Sequence, residues 1–199
     1  NSASEGGAIY STGGLKLTGV EIVASEAQKG GAIYSTGTLS VSNSLIAKNV
    51  ATGLGGAIYN AGTATLTNAP IADNEAADGA GLYNAGTATV DNTILAGNKA
   101  TDAAAKGFDL YAVEGATTTL RSSLLGNVAQ YGDKAFGLDA AYRSFLGVDP
   151  QFVDAANGDY TLADASQALN RGNDAYAVDA SGVALQTDLA GNARFVGTV

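Results

Sequence analysis

A five-residue string, GGAIY, occurs three times in this chain, at 6–10, 30–34 and 55–59. A relaxed copy, GAGLY, follows at 79–83, and a degraded one, Gly107-Phe108-Asp109-Leu110-Tyr111, comes after it. The tyrosines Tyr10, Tyr34, Tyr59, Tyr83 and Tyr111 are 24, 25, 24 and 28 residues apart. A fixed period of this length marks a repeat array, in which one unit cannot bury its apolar face alone and must stack on its neighbours.

Each unit has the same internal order. Gly13, Gly37, Gly62 and Gly86 stand three residues after the tyrosines, with Gly115 displaced by one. A glycine recurring in this way indicates a turn that needs positive φ or close approach of backbone. An alternating segment follows: GLKLTG at 14–19, TLSVSN at 38–43, TATLTN at 63–68 and TATVDN at 87–92. Alternation with period two reads as a strand with one buried face. Its inward set is Leu15, Leu17, Leu39, Val41, Ala64, Leu66, Ala88 and Val90. A second apolar position recurs at Ile22, Ile46, Ile71, Leu95 and Leu125, and behind it come Asn49, Asn74 and Asn98, with Asn127 in the degraded copy. The unit therefore reads as about three short strands separated by turns, with no stretch of roughly 10–15 residues that reads as helix. The leucine-rich signature LxxLxLxxN and the calcium-binding nonapeptide GGxGxDxUx are both missing. The expected fold is all-β, a single-stranded right-handed parallel β-helix with about 24 residues per coil. Equivalent residues would stack at about 4.8 Å.

Asn49, Asn74 and Asn98 are expected to form an amide ladder at a turn, bonding to each other and to turn backbone. The competing reading is exposed ligand contact, and the same pair of readings applies to Asn43, Asn68 and Asn92. The face of Tyr34, Tyr59 and Tyr83 stays open between an inward stack and an outward groove lining, because the preceding Ile or Leu competes for the interior.

The GGAIY copies, together with Ile46-x-x-Asn49, Ile71-x-x-Asn74 and Leu95-x-x-Asn98, resemble the GGA[ILV] and FxxN repeats of chlamydial polymorphic outer membrane proteins. Ile or Leu stands here where the chlamydial motif has Phe, and the likeness covers about residues 6–127. The resemblance implies the passenger of an autotransported surface protein, with an adhesin as one use, and it carries no catalytic residues.

Periodicity fades after Asn127. The segments DPQF at 149–152, NGDYTL at 157–162, SQALNRG at 166–172 and TDLAGNAR at 187–194 are similar in order to the C-terminal part of bacterial pectin-lyase-like β-helix proteins. That resemblance implies that 128–199 forms irregular final coils and a C-terminal cap on the regular coils of 1–127. Asn157-Gly158 and Ala190-Gly191-Asn192 mark turns there. A chain that opens on a repeat is also expected to be a piece of a longer protein.

Composition narrows the partners. A net charge of −9 argues against nucleic acid and against an anionic membrane surface. No apolar run approaches the ~20 residues that span a bilayer, so the chain is not expected to be membrane-inserted. Histidine and cysteine are absent, which removes histidine bases, thiol nucleophiles, disulfides and most zinc sites. The expected location is extracellular, secreted or on a bacterial cell surface.

Three uses of the surface compete. The outward side of the alternating strand presents Thr38, Thr63 and Thr87, then Lys16, Ser40, Thr65 and Thr89, then Thr18, Ser42, Thr67 and Asp91. This hydroxyl-rich face is the candidate binding face, with a glycan or a host or cell-surface protein as partner, in a non-catalytic adhesin or a passive stalk. Threonine is also simply a good strand former with a polar tip. Stacked Thr-x-Thr resembles ice-binding β-solenoids, which makes ice binding one alternative. The other is a polysaccharide lyase or hydrolase, as the fold family contains many. Its best acidic cluster is Asp133, Asp139 and Asp149 with Lys134 and Arg143, while Asp73, Asp78 and Asp91 differ in register and make no pair. No cofactor or metal site is expected from motif, calcium at Asp102 and Asp109 being the one candidate.

Overall fold

The computed structural model describes residues 2–101, 107–127 and 144–194, and in it the repeat folds as an all-β parallel solenoid. Each coil sends a strand into each of four walls. The tyrosine wall consists of Ile9–Ser11, Ile33–Ser35, Ile58–Asn60, Leu82–Asn84 and Leu110–Ala112. The threonine wall consists of Gly14–Thr18, Thr38–Ser42, Thr63–Thr67, Thr87–Asp91 and Thr117–Arg121. The isoleucine wall runs from Glu21–Val23 through Leu45–Ala47, Ile71–Ala72, Ile94–Ala96 and Leu124–Leu125 to Phe145–Leu146. The fourth wall is Ser2–Glu5, Glu26–Lys29, Val50–Leu54, Glu75–Ala76 and Lys99–Ala100.

The alternating pattern predicts about three strands per coil, and the fourth wall is the one it does not reveal. Its inward residues are only Ala27, Ala51 and Ala76. Side chains that small leave no large apolar period to read, yet they fill the narrow side of the coil.

Register follows the sequence repeat. Tyr10 pairs with Tyr34, Tyr34 with Tyr59, Tyr59 with Tyr83 and Tyr83 with Tyr111. The interior is a set of columns: Ile33, Ile58, Leu82 and Leu110; Val41, Leu66, Val90 and Leu120; and Ile46, Ile71, Leu95 and Leu125, all essentially inaccessible. Each such side chain contributes on the order of 1.5–3 kcal/mol by leaving water. Leu15 and Leu17, on the first coil, are only partly covered because no coil lies above them among the described residues.

Both glycines of GGAIY have a physical reason. The first, at 6, 30 and 55, has φ between +61° and +69°, the left-handed region. The second, at 7, 31 and 56, lies so near the neighbouring coil that a Cβ would come under 3.0 Å from its carbonyls. Gly37, Gly62 and Gly86 are constrained in this second way, against the backbone of the preceding coil, and not by positive φ. Gly13 meets nothing within 4 Å, since it has no preceding coil.

Buried polar groups are satisfied along the stack. Asn49 Nδ2 donates to Asn74 Oδ1 at 3.0 Å, and Asn74 Nδ2 to Asn98 Oδ1 at 2.9 Å. The same oxygens accept the backbone N–H of Asn49 and Asn74, so each amide also closes the turn above it. A second ladder, not foreseen, joins Asn60 Nδ2 to Asn84 Oδ1 at 2.8 Å and Asn84 to Thr118. The tyrosines face outward and stack ring on ring, with centroids 4.8 to 5.3 Å apart.

In the region expected to give final coils and a cap, Phe145–Leu146 continues the isoleucine wall on Leu124–Leu125. The chain then forms an antiparallel hairpin of Phe152–Asp154 and Asp159–Leu162. It runs back along the flank of earlier coils. Lys48 Nζ donates to Ala156 O at 2.9 Å, Tyr160 Oη to Asp73 at 3.0 Å, and Arg194 to Asn43 Oδ1 at 2.5 Å.

Candidate functional site

The outward rows of the threonine wall differ in exposure. Thr38, Thr63 and Thr87 are exposed, in register, and extended by Thr117. In the next row Ser40 is buried, and Thr65 and Thr89 are half-buried. In the third, Ser42, Thr67 and Asp91 are all buried, at 1%, 3% and 4% exposure. The flat three-row face expected from alternation is therefore narrowed to one open row. The C-terminal segment crosses the far side of this wall: the Arg121 guanidinium lies 4.2 Å from the centre of the Tyr176 ring, and Lys16 Nζ reaches Ser181 Oγ at 3.4 Å. Arg121 also holds Asp91 through two bonds, Nε to Oδ1 at 2.6 Å and a second guanidinium nitrogen to Oδ2 at 2.5 Å.

A groove runs between that segment and the turn joining the threonine and isoleucine walls. The turn positions Asn43, Asn68 and Asn92 all have φ between +48° and +50°, a conformation asparagine tolerates better than most residues. Asn92 exchanges two hydrogen bonds with the backbone of Asn173, at 2.8 and 2.9 Å, and Asn43 accepts from Arg194. These amides fasten the segment to the coils and do not stack on each other as a ladder. Asn68, between them, is 9% exposed, and its Nδ2 has no hydrogen-bond partner. Two cavities, of about 530 and 350 Å³, meet here and share Asn68, Asn92, Ile94 and Arg194 in their walls. Burial lowers the pKa of the Arg194 guanidinium against the opposing pull of Asp188. Burial also raises the Tyr160 hydroxyl, helped by its bond to Asp73.

The acids considered for chemistry are dispersed. Asp73 is engaged by Tyr160, Asp91 by Arg121, and Asp149 accepts the N–H of Gln151. Asp133, Lys134, Asp139 and Arg143 lie outside the described residues, as does Asp102. Asp109 is inaccessible. Its Oδ1 accepts from Asn98 Nδ2 at 2.8 Å and its Oδ2 from the N–H of Asn127 at 2.6 Å, so it terminates the buried amide ladder. Burial raises its pKa to about 6, against the lowering effect of those donors. Among the described residues no group of three or more acids is placed to hold a metal ion.

Tyr160, Asn173, Tyr176 and Arg194 shape the groove, and the sequence does not foretell them. Their partners lie 81 to 151 residues away in three of the contacts they make. No period connects the two stretches. The second ladder did leave a trace: Asn follows Tyr in two copies, at Asn60 and Asn84.

Residues 43–61 match the Chlamydia polymorphic membrane protein (Chlamydia_PMP) repeat. The match spans the Ile46-x-x-Asn49 ladder position and the GGAIY copy at 55–59. Neither a curated protein nor a solved structure matches the chain. No helix among the described residues is long and apolar enough to cross a membrane.

Proposed function

We propose that the chain is a non-catalytic surface module, a passenger segment that displays a recognition face outside a bacterial cell. The observation that carries this is the division of labour in the coil. The recurrent glycines, core aliphatics and ladder asparagines are occupied by stacking, while Thr38, Thr63, Thr87 and Thr117 stand exposed in one straight row beside the outward tyrosine stack. A rigid row of this kind loses little conformational entropy on binding. The polymorphic-membrane-protein repeat at 43–61 supports the surface location. A glycan or a host or cell-surface protein is the partner.

No specific observation favours the lyase, hydrolase or ice-binding alternatives. Asp91 is tied to Arg121, and one open threonine row lacks the second dimension needed to match a crystal face. The test is flow cytometry of cultured cells with the labelled, folded chain. Saturable binding that is lost when Thr38, Thr63 and Thr87 are together changed to Glu supports recognition through this row. No binding to cells, immobilised glycans or matrix proteins would leave a passive stalk and sink the adhesin.

A further inference from the structure

We propose that the groove between the asparagine turns and the C-terminal segment is a binding site for a neutral oligosaccharide, an inference that rests on the surface-module reading. Three of its observations concern Asn68. It is more than nine-tenths buried, its Nδ2 has no partner, and it lies where the two cavities meet. A buried amide donor without a partner is costly and rare in folded proteins. The turn does not demand an amide: the equivalent residue is Gly19 in the first coil and Ser122 in the fifth, each with the same left-handed φ. Nor does attachment of the C-terminal segment, which uses Asn43 and Asn92 and passes over Asn68. A ligand acceptor oxygen would complete it.

The lining selects the ligand class. Glu21, Asp159, Asp174 and Asp188 face the two cavities, against Arg171 and Arg194. Both arginines are already engaged, Arg194 by Asn43 and the Thr187 carbonyl, and Arg171 against the face of Phe145. With the chain at −9, a polyanion such as a uronate oligomer is repelled. A sugar hydroxyl can donate to the carboxylates and accept from the Asn68 amide, which a purely anionic or purely apolar ligand cannot do. Ile94, Leu189 and Tyr160 supply apolar surface for the C–H face of a sugar ring. Because the cavities are contiguous at Asn68, the ligand bridges both, and an oligomer fits better than a single ring.

Titration calorimetry of the whole chain with cellohexaose, mannohexaose and maltohexaose, and with hexagalacturonate as the charged comparison, tests this. At least one neutral hexamer should bind, and hexagalacturonate should bind at least tenfold more weakly. Asn68→Gly keeps a residue suited to positive φ and removes only the amide. It should weaken binding at least tenfold with an unchanged thermal transition, whereas Thr38→Val with Thr63→Val should leave binding intact. Absence of neutral-hexamer binding, tighter binding of hexagalacturonate, or an Asn68→Gly variant with full affinity each overturns the groove. If saccharide binding survives Asn68→Gly but is lost in the threonine variant, the groove fails and the surface-module reading stands. If the chain also binds no cell, glycan or matrix protein, both fail.

Discussion

In the coils a polar side chain finds its partner one period away, on its own counterpart; in residues 144–194 it finds it in backbone two to four residues on. Asn74 bonds Asn49 above and Asn98 below. By contrast Asp149 accepts from the N–H of Gln151, Asp159 from Thr161, Asp179 from Ser181 and Val183, and Asp188 from Asn192. The first arrangement is shared among coils and buried, so removing one member leaves several groups unpaired. The second is local and exposed, and water can replace a lost partner. The coils should therefore respond to substitution as one cooperative stack, and the C-terminal segment as a chain of independent turns.

The largest expected difference is at glycine. Gly31→Ala drives a Cβ into the carbonyls of Gly56 and Val50, rigid backbone that cannot give way. It should cost more than ~4 kcal/mol or prevent folding. Gly182→Ala, at φ +80° with nothing within 4 Å, meets only the intrinsic strain of that conformation, about 1–2 kcal/mol. Urea unfolding of the two variants compares them directly, and similar losses would break the distinction.

Next comes the ladder. Asn74→Ala leaves the N–H of Asn49, the carbonyl of Ile46 and Oδ1 of Asn98 each short of a partner. With ~1–3 kcal/mol for a buried unsatisfied group, the loss should be about 3–5 kcal/mol. Asp188→Ala, which removes bonds to Asn192 at a mostly exposed turn, should cost less than about 1 kcal/mol. A loss at Asp188 equal to that at Asn74 would show that the segment is part of the same cooperative unit.

The smallest effect sharpens the end of the ladder. Asp109 has its pKa raised from 3.8 to about 6 by burial. Below pH 4 both folded and unfolded chains hold this proton, and there is no penalty. As pH rises from about 4 to 6 the unfolded chain releases it first, so stability falls, by on the order of 3 kcal/mol once pH exceeds 6. Asp109→Asn, neutral throughout, should lack this fall. Parallel stability–pH curves for the two proteins between pH 4 and 7 would refute the assignment.

Much of the coil was legible because stacking forces each residue to meet its own equivalent. The alternation that predicts Leu39, Val41, Leu66 and Val90 as inward is confirmed by their full burial, and so is the Asn49–Asn74–Asn98 ladder. The fourth wall was invisible because alanine is small enough to carry no signal. The Asn43, Asn68 and Asn92 series repeats in sequence like a ladder, but its residues point to a segment that has no repeat. The tyrosine face was undecided for a different reason. Alternation places Tyr and its neighbouring Ile on opposite sides, and only packing decides that the branched aliphatic goes in and the ring goes out.

By itself, then, the repeat determined the period, the register and the identity of the core columns, because in a parallel stack one coil's geometry is imposed on the next. Tertiary structure alone decided which hydroxyls stay open. Thr67 and Asp91 share the outward phase of Thr63 and Thr87, yet they are buried because a stretch about 85 or more residues downstream folds back beside them. Nothing in a strand's own alternation can record what a distant, non-repeating segment will cover.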